Sequence, residues 1–380
     1  MEKNEINLIL KTNITFIISN INKALAFEWV ASYLNKDKFN LNFILLYPEE
    51  SELEKYLKEN NFIVERIKYS SKKKEIPLAI IKTYRFLKRN KTQIVHTHLF
   101  DANIVGLSAA WLARIPKRIH TRHHSNYHHL YFPKAIKYDK LANRLSTDIV
   151  AISEVVKNIL ITKEQVDSKK VHLIHHGFLL NEFMNVSEKS ISKIKEKYNP
   201  NNIRPVVGVI SRFTEWKGVQ FIIPAFKKLL QVYPNALIIM VNAEGDYRMN
   251  IKEILKTIPE KNYIETTFES DIFALYKLFD VFVHVPISPE VEAFGQTYVE
   301  ALASGVPSVF TLSGIANEFI LDHYNALVVP FQDSNAIVDA VMVLLENKAL
   351  VASLIENGKN DVLSRFDLNQ MILSLEKLYE

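Results

Sequence analysis

Two glutamates, Glu292 and Glu300, stand eight positions apart around an Ala293-Phe-Gly295 turn, and an Ala-rich helix then stops at Ser304-Gly-Val-Pro307. The apolar run Asp280-Val-Phe-Val-His-Val285 before the turn reads as a buried strand. The unit is therefore strand, loop and helix, with Phe294 and Gly295 at the helix start. Unpaired backbone N–H groups and the helix dipole favour an anion such as a diphosphate at such a start. Gln296 and Glu300 share a helix face, so Glu300 can reach a ligand docked at that end. A carboxylate beside a phosphate site suits sugar hydroxyls, since it would repel phosphate. These residue types suggest a nucleotide-sugar, with phosphates on the helix end and hydroxyls on the glutamates.

A second set lies in Val206-Val-Gly-Val-Ile-Ser-Arg212-Phe-Thr-Glu-Trp-Lys217-Gly218. An Arg and a Lys follow a strand on a loop, and Gly218 opens a helix. Two cations there can neutralise the charge that grows on a leaving diphosphate as a glycosidic bond breaks. Histidines form a third concentration, seven of the twelve lying between His96 and His129. His96 and His98 alternate along a strand end and so point the same way. His96-Thr-His98-x-x-Asp101 has metal-hydrolase ligand spacing, and His123-His124 with His128-His129 also offer donors. No carboxylate-rich motif accompanies them, and no metal site is assigned.

The segment from Glu292 to Pro307 resembles the Glu-x7-Glu signature of GT-B glycosyltransferases, in particular the large retaining family 4. The likeness extends downstream to Glu318. Arg212 to Gly218 is similar to that family's Gly-Arg-x4-Lys-Gly segment, with Ser211 where glycine is usual. Val95–Phe100 and Ile119–His123 resemble the paired strand ends of its first domain, and His123 matches the histidine beside the reacting sugar. The resemblance runs from about residue 13 to the C-terminus. It implies two Rossmann-like, doubly wound parallel-sheet domains facing across a cleft, with the donor held mainly by the second.

The same resemblance implies roles. Arg212 and Lys217 would contact the donor diphosphate, Glu292 the donor sugar and Glu300 the ribose, with Phe294, Gly295 and Gln296 completing the donor site. His123, chosen over His124, would hydrogen-bond a sugar hydroxyl or orient the acceptor. His123, Glu292, Arg212 and Lys217 form the expected catalytic set. The implied mechanism is front-face displacement with retention, the leaving phosphate assisting the incoming hydroxyl. No Asp-x-Asp motif occurs, in agreement with metal-independent transfer, and no cofactor is expected beyond a UDP- or GDP-linked donor substrate. Two departures stand out. Ser19-Asn-Ile-Asn-Lys-Ala24 replaces a Gly-Gly turn after the first strand, which makes Asn20, Asn22 and Lys23, with His98, the acceptor or cleft-side candidates. Asn242-Ala-Glu-Gly-Asp246 replaces a common Gly-x-Gly-Pro turn.

The elements that position these residues alternate between short apolar runs and helical stretches, the pattern of an α/β chain with parallel sheets. Strands are expected at 13–19, 41–47, 62–68, 94–98, 117–121, 148–152 and 171–177, then at 206–210, 236–241, 263–267, 280–285, 306–311 and 326–330. Helices are expected at about 24–34, 76–90, 102–113, 133–146, 335–347, 349–357 and 367–379, with Ser51 capping another. The expected division is an acceptor-side domain over 1–180, a linker over 181–204 and a donor domain over 205–366. The resemblance sends the last helix, about 367–380, back to the first domain.

At 380 residues and 48% hydrophobic content the chain can fill two cores. It has no cysteine, which excludes disulfides, thiolate chemistry and Cys-based metal sites and fits a reducing cytoplasm. The charged start Met1-Glu-Lys-Asn-Glu-Ile6 does not read as a signal peptide, and no uninterrupted apolar stretch reads as a membrane span. Residues 1–150 hold 25 Lys and Arg against 14 Asp and Glu, and the remainder 22 against 28. The basic half suits an anionic partner: a membrane surface, a lipid-linked diphosphate or nucleic acid. Lys72-Lys-Lys74 and the Lys82–Lys91 helix could rest on the inner face of a cytoplasmic membrane. No nucleic-acid recognition motif is present.

The expected activity is sugar transfer to a glycan or lipid-linked acceptor in bacterial surface polysaccharide assembly. An epimerase or phosphorylase is the other enzymatic reading, and the pyridoxal lysine segment of a phosphorylase is lacking. The reading from a different class is a catalytically silent nucleotide-sugar-binding subunit that supports a partner transferase. The missing Gly-Gly turn favours it, while intact Arg212, Lys217, Glu292 and Glu300 oppose it.

Overall fold

The computed structural model describes residues 11–380, and the charged start Met1–Ile6 lies outside the described residues. The chain divides into two compact units, one of Met1–Gly177 with Leu368–Glu380, the other of Phe178–Asp367.

The first unit is built on seven strands: β1 (Thr12–Ser19), β2 (Phe39–Leu46), β3 (Ile63–Ile67), β4 (Ile94–His98), β5 (Lys117–Arg122), β6 (Asp148–Ala151) and β7 (Val171–Leu173). They pair in parallel in the order β3-β2-β1-β4-β5-β6-β7. Central strands of such a sheet are covered on both faces and need unbroken apolar runs. Ile14, Phe16, Ile17 and Ile18 on β1 meet that need, each at most 1% exposed. Helices Ile76–Arg89 and Phe100–Leu112 supply Phe86, Leu87, Val105 and Ala109 to the same core as Ile17, Ile44 and Val95. Ser51 caps helix Glu52–Glu59, its Oγ accepting from the Glu54 N–H at 3.1 Å. The last helix, Leu368–Tyr379, belongs to this unit: its Glu376 carboxylate accepts from the Asn35 N–H at 2.8 Å.

The second unit repeats the scheme with β8 (Val206–Ile210), β9 (Leu237–Val241), β10 (Tyr263–Thr266), β11 (Val281–His284), β12 (Ser308–Phe310) and β13 (Leu327–Val328). All pair in parallel, in the order β10-β9-β8-β11-β12-β13. Its core packs Val207, Val209, Val281 and Val283 against Ile222, Phe226 and Leu229 of helix Val219–Val232.

Two expectations are corrected. The stretch 181–204, expected as a helix and linker between domains, is part of the second unit, where it holds helices Leu180–Met184 and Glu188–Tyr198. Ser187 caps the latter, Ile194 and Tyr198 are buried, and the Tyr198 hydroxyl donates to Glu269 at 2.7 Å. The helix expected over 349–357 runs on to Arg365. Gly358, inside this helix, is a close-packing position: a Cβ there would lie 3.0 Å from Leu302.

In each sheet the order reverses beside the first strand of the unit, between β1 and β4 and between β8 and β11. Ligands of open α/β sheets bind at the carboxyl ends of strands at such a point. No helix among the described residues is long and apolar enough to cross a membrane.

Candidate functional site

In the second unit both sets of sequence candidates sit on the loops that follow β8 and β11. Beyond β8 come Ser211 and Arg212, a turn of 3-10 helix at Glu215–Lys217, and Gly218. Gly218 has φ 76°, and a Cβ there would lie 1.9 Å from the Val285 carbonyl oxygen. Only glycine lets this loop lie against the end of β11. Lys217 then donates its Nζ–H to Glu292 Oε1 and stands over the Trp216 ring at 4.6 Å. Arg212 is exposed, and its guanidinium has no partner among the described residues.

Glu292 is 5% exposed. Its loop is clasped from the other side: the Glu292 N–H donates to Ser313 Oγ at 3.2 Å and the Ile315 N–H to the Phe294 carbonyl at 2.9 Å. Burial alone would push the Glu292 carboxyl up, but the Lys217 charge, aided by His284, outweighs it and holds the pKa at about 2. His284 Nε2 lies 3.2 Å from Glu292 Oε1, near enough for attraction though off the line of a hydrogen bond. Burial lowers the His284 pKa, against the pull of the Glu292 carboxylate.

Gly295, at φ 88°, starts helix Gln296–Ala303. A Cβ there would sit 2.6 Å from the Tyr298 ring, which cannot retreat because its hydroxyl donates to the Thr311 carbonyl at 2.9 Å. Gln296 is exposed at the helix start. Glu300, one turn on, is half-buried and accepts from the Tyr276 hydroxyl at 2.9 Å. Burial raises its carboxyl to about 7. Phe294 differs from expectation. Its ring is 3% exposed, stacked on Phe178 at 6.2 Å and edge-on to Phe366 at 5.8 Å, so it anchors the turn and offers a ligand only backbone.

In the first unit the structure separates the histidines. His96 is fully buried and satisfied, Nδ1 2.7 Å from the Tyr379 hydroxyl and Nε2 2.8 Å from Thr121 Oγ1. Burial and neighbouring imidazoles lower its pKa to about 3. Asp101 accepts from Asn20 Nδ2 at 2.8 Å and Ser71 Oγ at 2.7 Å, so the His96-His98-Asp101 spacing builds no ligand set. His98, the remaining cleft-side candidate, is 7% exposed: it stacks on Phe16 at 5.6 Å and meets Phe27 edge-on at 4.9 Å. Its Nδ1 lies 3.1 Å from Nε2 of His123, which is half-buried just beyond β5. His176 stacks parallel to His123 at 5.7 Å.

Of the glycine-poor turn, Asn20 adopts φ 56°, the left-handed conformation asparagine tolerates best after glycine. Asn22 Oδ1 accepts from the Glu52 N–H at 3.1 Å, and Lys23 pairs with the Glu52 carboxylate at 3.5 Å. Both side chains brace helix Glu52–Glu59. Asn242 at φ 63° likewise supplies the left-handed turn after β9.

Beside His123 lies a charged network of which the sequence marked only the histidines. Arg122, 1% exposed, pairs with Glu164 and stands 3.3 Å from Asp139. His128 Nδ1 donates to Asp139 Oδ2 at 2.6 Å, His124 Nε2 is 3.4 Å from Oδ1, and Asn143 Nδ2 donates to Glu164 at 2.7 Å. His124, His128 and Asp139 are the one group among the described residues with metal-type donors within 4.8 Å of one another. Burial would raise the Asp139 carboxyl, yet His124, His128 and Arg122 hold it well below the usual range. Both oxygens of Asp139 already face cationic or N–H groups, and the cluster braces the chain that carries His123. Neither Asp139 nor Glu164 has a local sequence signal. His284 and Tyr276, the partners of Glu292 and Glu300, lie among apolar residues that read as core.

Two Rossmann-like units with parallel sheets of seven and six strands, each with polar candidates at its strand-order reversal, define the GT-B class of glycosyltransferase. The family model described as Glycosyltransferase Family 4 matches residues 30–181, and that described as Glycosyl transferases group 1 matches residues 190–361. The chain belongs to the family 4-like GT-B glycosyltransferases. The capsular polysaccharide biosynthesis glycosyltransferase CapM of Staphylococcus aureus is 24% identical over 355 residues, 90% of either chain. The UDP-Gal:alpha-D-GlcNAc-diphosphoundecaprenol alpha-1,3-galactosyltransferase of Escherichia coli is 23% identical, over 79% of this chain and 78% of its own. The crystal structure of Anabaena HepE in complex with UDP-glucose superposes with a TM-score of 0.82 at 21% identity, covering 96% of this chain and 99% of that one.

Proposed function

We propose that this glycosyltransferase moves a hexose-type sugar from a UDP- or GDP-sugar to a glycan or lipid-linked acceptor, with retention at the anomeric carbon. The observation that carries the reading is the Lys217–Glu292 pair, a buried carboxylate kept ionised on the loops beyond β8 and β11, with exposed Arg212 on the same strand-end loop. Arg212, Lys217 and the first N–H groups of helix Gln296–Ala303 hold the diphosphate. Glu292 takes donor-sugar hydroxyls, Glu300 the ribose, and His123 a sugar hydroxyl. As the anomeric C–O bond breaks, the leaving phosphate oxygen accepts the proton of the acceptor hydroxyl that bonds to the same face of that carbon. The growing negative charge is met by Arg212 and Lys217, and this scheme calls on no metal or further cofactor.

The activities of CapM and the Escherichia coli galactosyltransferase, and the UDP-glucose held by HepE, support a nucleotide-sugar donor and a role in surface polysaccharide assembly. Exposed Leu130 and Phe132, followed by Lys134, Lys137 and Lys140, support peripheral contact with an anionic membrane on its cytoplasmic side. The silent-subunit reading loses its main support, because Asn20 takes the conformation that the missing glycine would supply.

Thermal shift and donor hydrolysis across UDP-, GDP-, ADP- and dTDP-sugars test the proposal, with Arg212→Ala and Glu300→Ala beside the parent. Stabilisation by one nucleotide class, weakened in both variants, is expected. No response to any nucleotide would refute the donor site, and an inverted anomeric configuration in the product would refute retention.

A further inference from the structure

The contact between His98 and His123 fixes more than a distance. Their facing nitrogens, Nδ1 of His98 and Nε2 of His123, are 3.1 Å apart. The surroundings decide which ring donates. Burial first, and then neighbouring imidazoles, drive both pKa values well below the usual one, so each ring is neutral and carries one proton. Only two arrangements make the hydrogen bond. Either His98 Nδ1–H donates and both rings are protonated on Nδ1, or His123 Nε2–H donates and both are protonated on Nε2.

The far nitrogen of His98 separates the two. His98 Nε2 is buried with no hydrogen-bond partner. Phe16 covers the face of the ring and Phe27 meets it edge-on, while neighbouring His96 has both nitrogens engaged by Tyr379 and Thr121. A proton on Nε2 would be an orphaned buried donor, a rarer state than an unsatisfied acceptor. Phe16 and Phe27 hold the ring from two sides. Leu99, the next residue, has φ 75° and ψ 164°, a region that non-glycine residues enter only when their surroundings impose it. Nδ1 of His123 has no partner among the described residues.

We propose that His98 is a positioning residue that sets His123 in the Nδ1–H tautomer, so that His123 meets a sugar hydroxyl oxygen as a hydrogen-bond donor and not as a proton acceptor. The role toward sugar rests on the function proposed above, whereas the tautomer does not. It also divides the labour of transfer. With Nε2 occupied and Nδ1 protonated, His123 cannot take the acceptor's proton, which leaves that task to the departing phosphate.

The test is two-bond 1H–15N correlation on the full chain labelled with 15N-histidine, His123 being assigned by the signal lost in His123→Gln. The parent is expected to show a protonated Nδ1 and a bare Nε2 on His123. His98→Asn keeps an N–H near the place of Nδ1 and should preserve that pattern. His98→Phe removes it and should move His123 toward the Nε2–H form, with the other histidine signals reporting that the fold is kept. In sugar transfer, His98→Phe should lower kcat about tenfold with little change in the donor KM, the size of one lost hydrogen bond. His98→Asn should recover most of that loss. A bare Nδ1 on parental His123, or a tautomer unmoved in His98→Phe, would overturn the proposal. A moved tautomer with unaltered kcat would overturn the catalytic half alone. A parent that transfers no sugar would sink the proposed function, while the spectrum would still decide the tautomer.

Discussion

Lys217 and Glu292 meet as an ion pair across 75 residues of chain, one on the loop beyond β8 and the other on the loop beyond β11. Little of either side chain reaches solvent, 15% for Lys217 and 7% for Glu292. The pair joins the strands on either side of the order reversal and holds a lysine ready where a diphosphate would dock. Breaking such a pair leaves an uncompensated buried charge, whereas deleting both charges does not. Lys217→Met is therefore expected to cost about 3 kcal/mol in urea unfolding. The double variant Lys217→Met/Glu292→Gln should regain at least half of that loss. Additive effects in this cycle would show that the two residues do not act as a pair.

The same pair predicts an acid limb. The Glu292 carboxyl falls from an ordinary 4.5 to about 2 on folding. A depressed carboxyl contributes stability that is whole above 4.5 and is lost as pH falls through 2. Thermal melting of the parent should decline over that window, and Glu292→Gln should be flatter there. Equal slopes in the two proteins would exclude Glu292 as the source.

Glu300 behaves with the opposite sign. Its carboxyl is raised by burial from 4.5 to about 7, so its contribution to stability is complete below 4.5 and is lost as pH rises through 7. Glu300→Gln should be the more stable protein at pH 8. Nucleotide affinity should run the other way, because accepting ribose hydroxyls calls for the carboxylate. Titration calorimetry with the preferred nucleotide should show binding about tenfold weaker at pH 6 than at pH 8, with Glu300→Gln nearly flat.

Arg212 is the cation on this loop with no structural duty, exposed and without a side-chain partner among the described residues. Arg212→Ala should leave the melting temperature within about a degree, as expected for a surface change of under about 0.5 kcal/mol. A charge-assisted contact to a diphosphate contributes about 1.5–3 kcal/mol, so affinity should fall by one to two orders of magnitude. Unchanged affinity would remove Arg212 from the donor site.

The parts of the site legible in sequence are those whose geometry is local. Glu292, Gly295 and Glu300 lie on one strand-turn-helix unit, where spacing alone decides which face each occupies. Arg212, Lys217 and Gly218 are legible for the same reason. Tertiary partners are not. Arg122 finds Glu164 across 42 residues, and no periodicity marks either residue. His284 sits in an apolar strand that announces burial but not the carboxylate it faces. Fold-level errors come from overloaded signals. The helix expected to end near 357 runs on through Gly358, where the absent side chain makes room for Leu302. The stretch 180–204 reads as a helix and linker between domains because polar residues outnumber Ile194 and Tyr198, the two side chains that bury helix Glu188–Tyr198 in the second unit.

Gly218 offers the most local test of how the donor loop is built. At φ 76° an L-residue loses about 1–2 kcal/mol to its own backbone. The added methyl would also stand 1.9 Å from the Val285 carbonyl oxygen, which is backbone at the end of a core strand and has no room to yield. Gly218→Ala must therefore push the 212–217 loop away from β11, parting Lys217 from Glu292. Expected are a stability loss of at least about 2–3 kcal/mol, strain and lost ion pair together, and no nucleotide-induced thermal shift. Nucleotide binding retained at parental affinity would mean that the diphosphate is not held by the loop that Gly218 anchors.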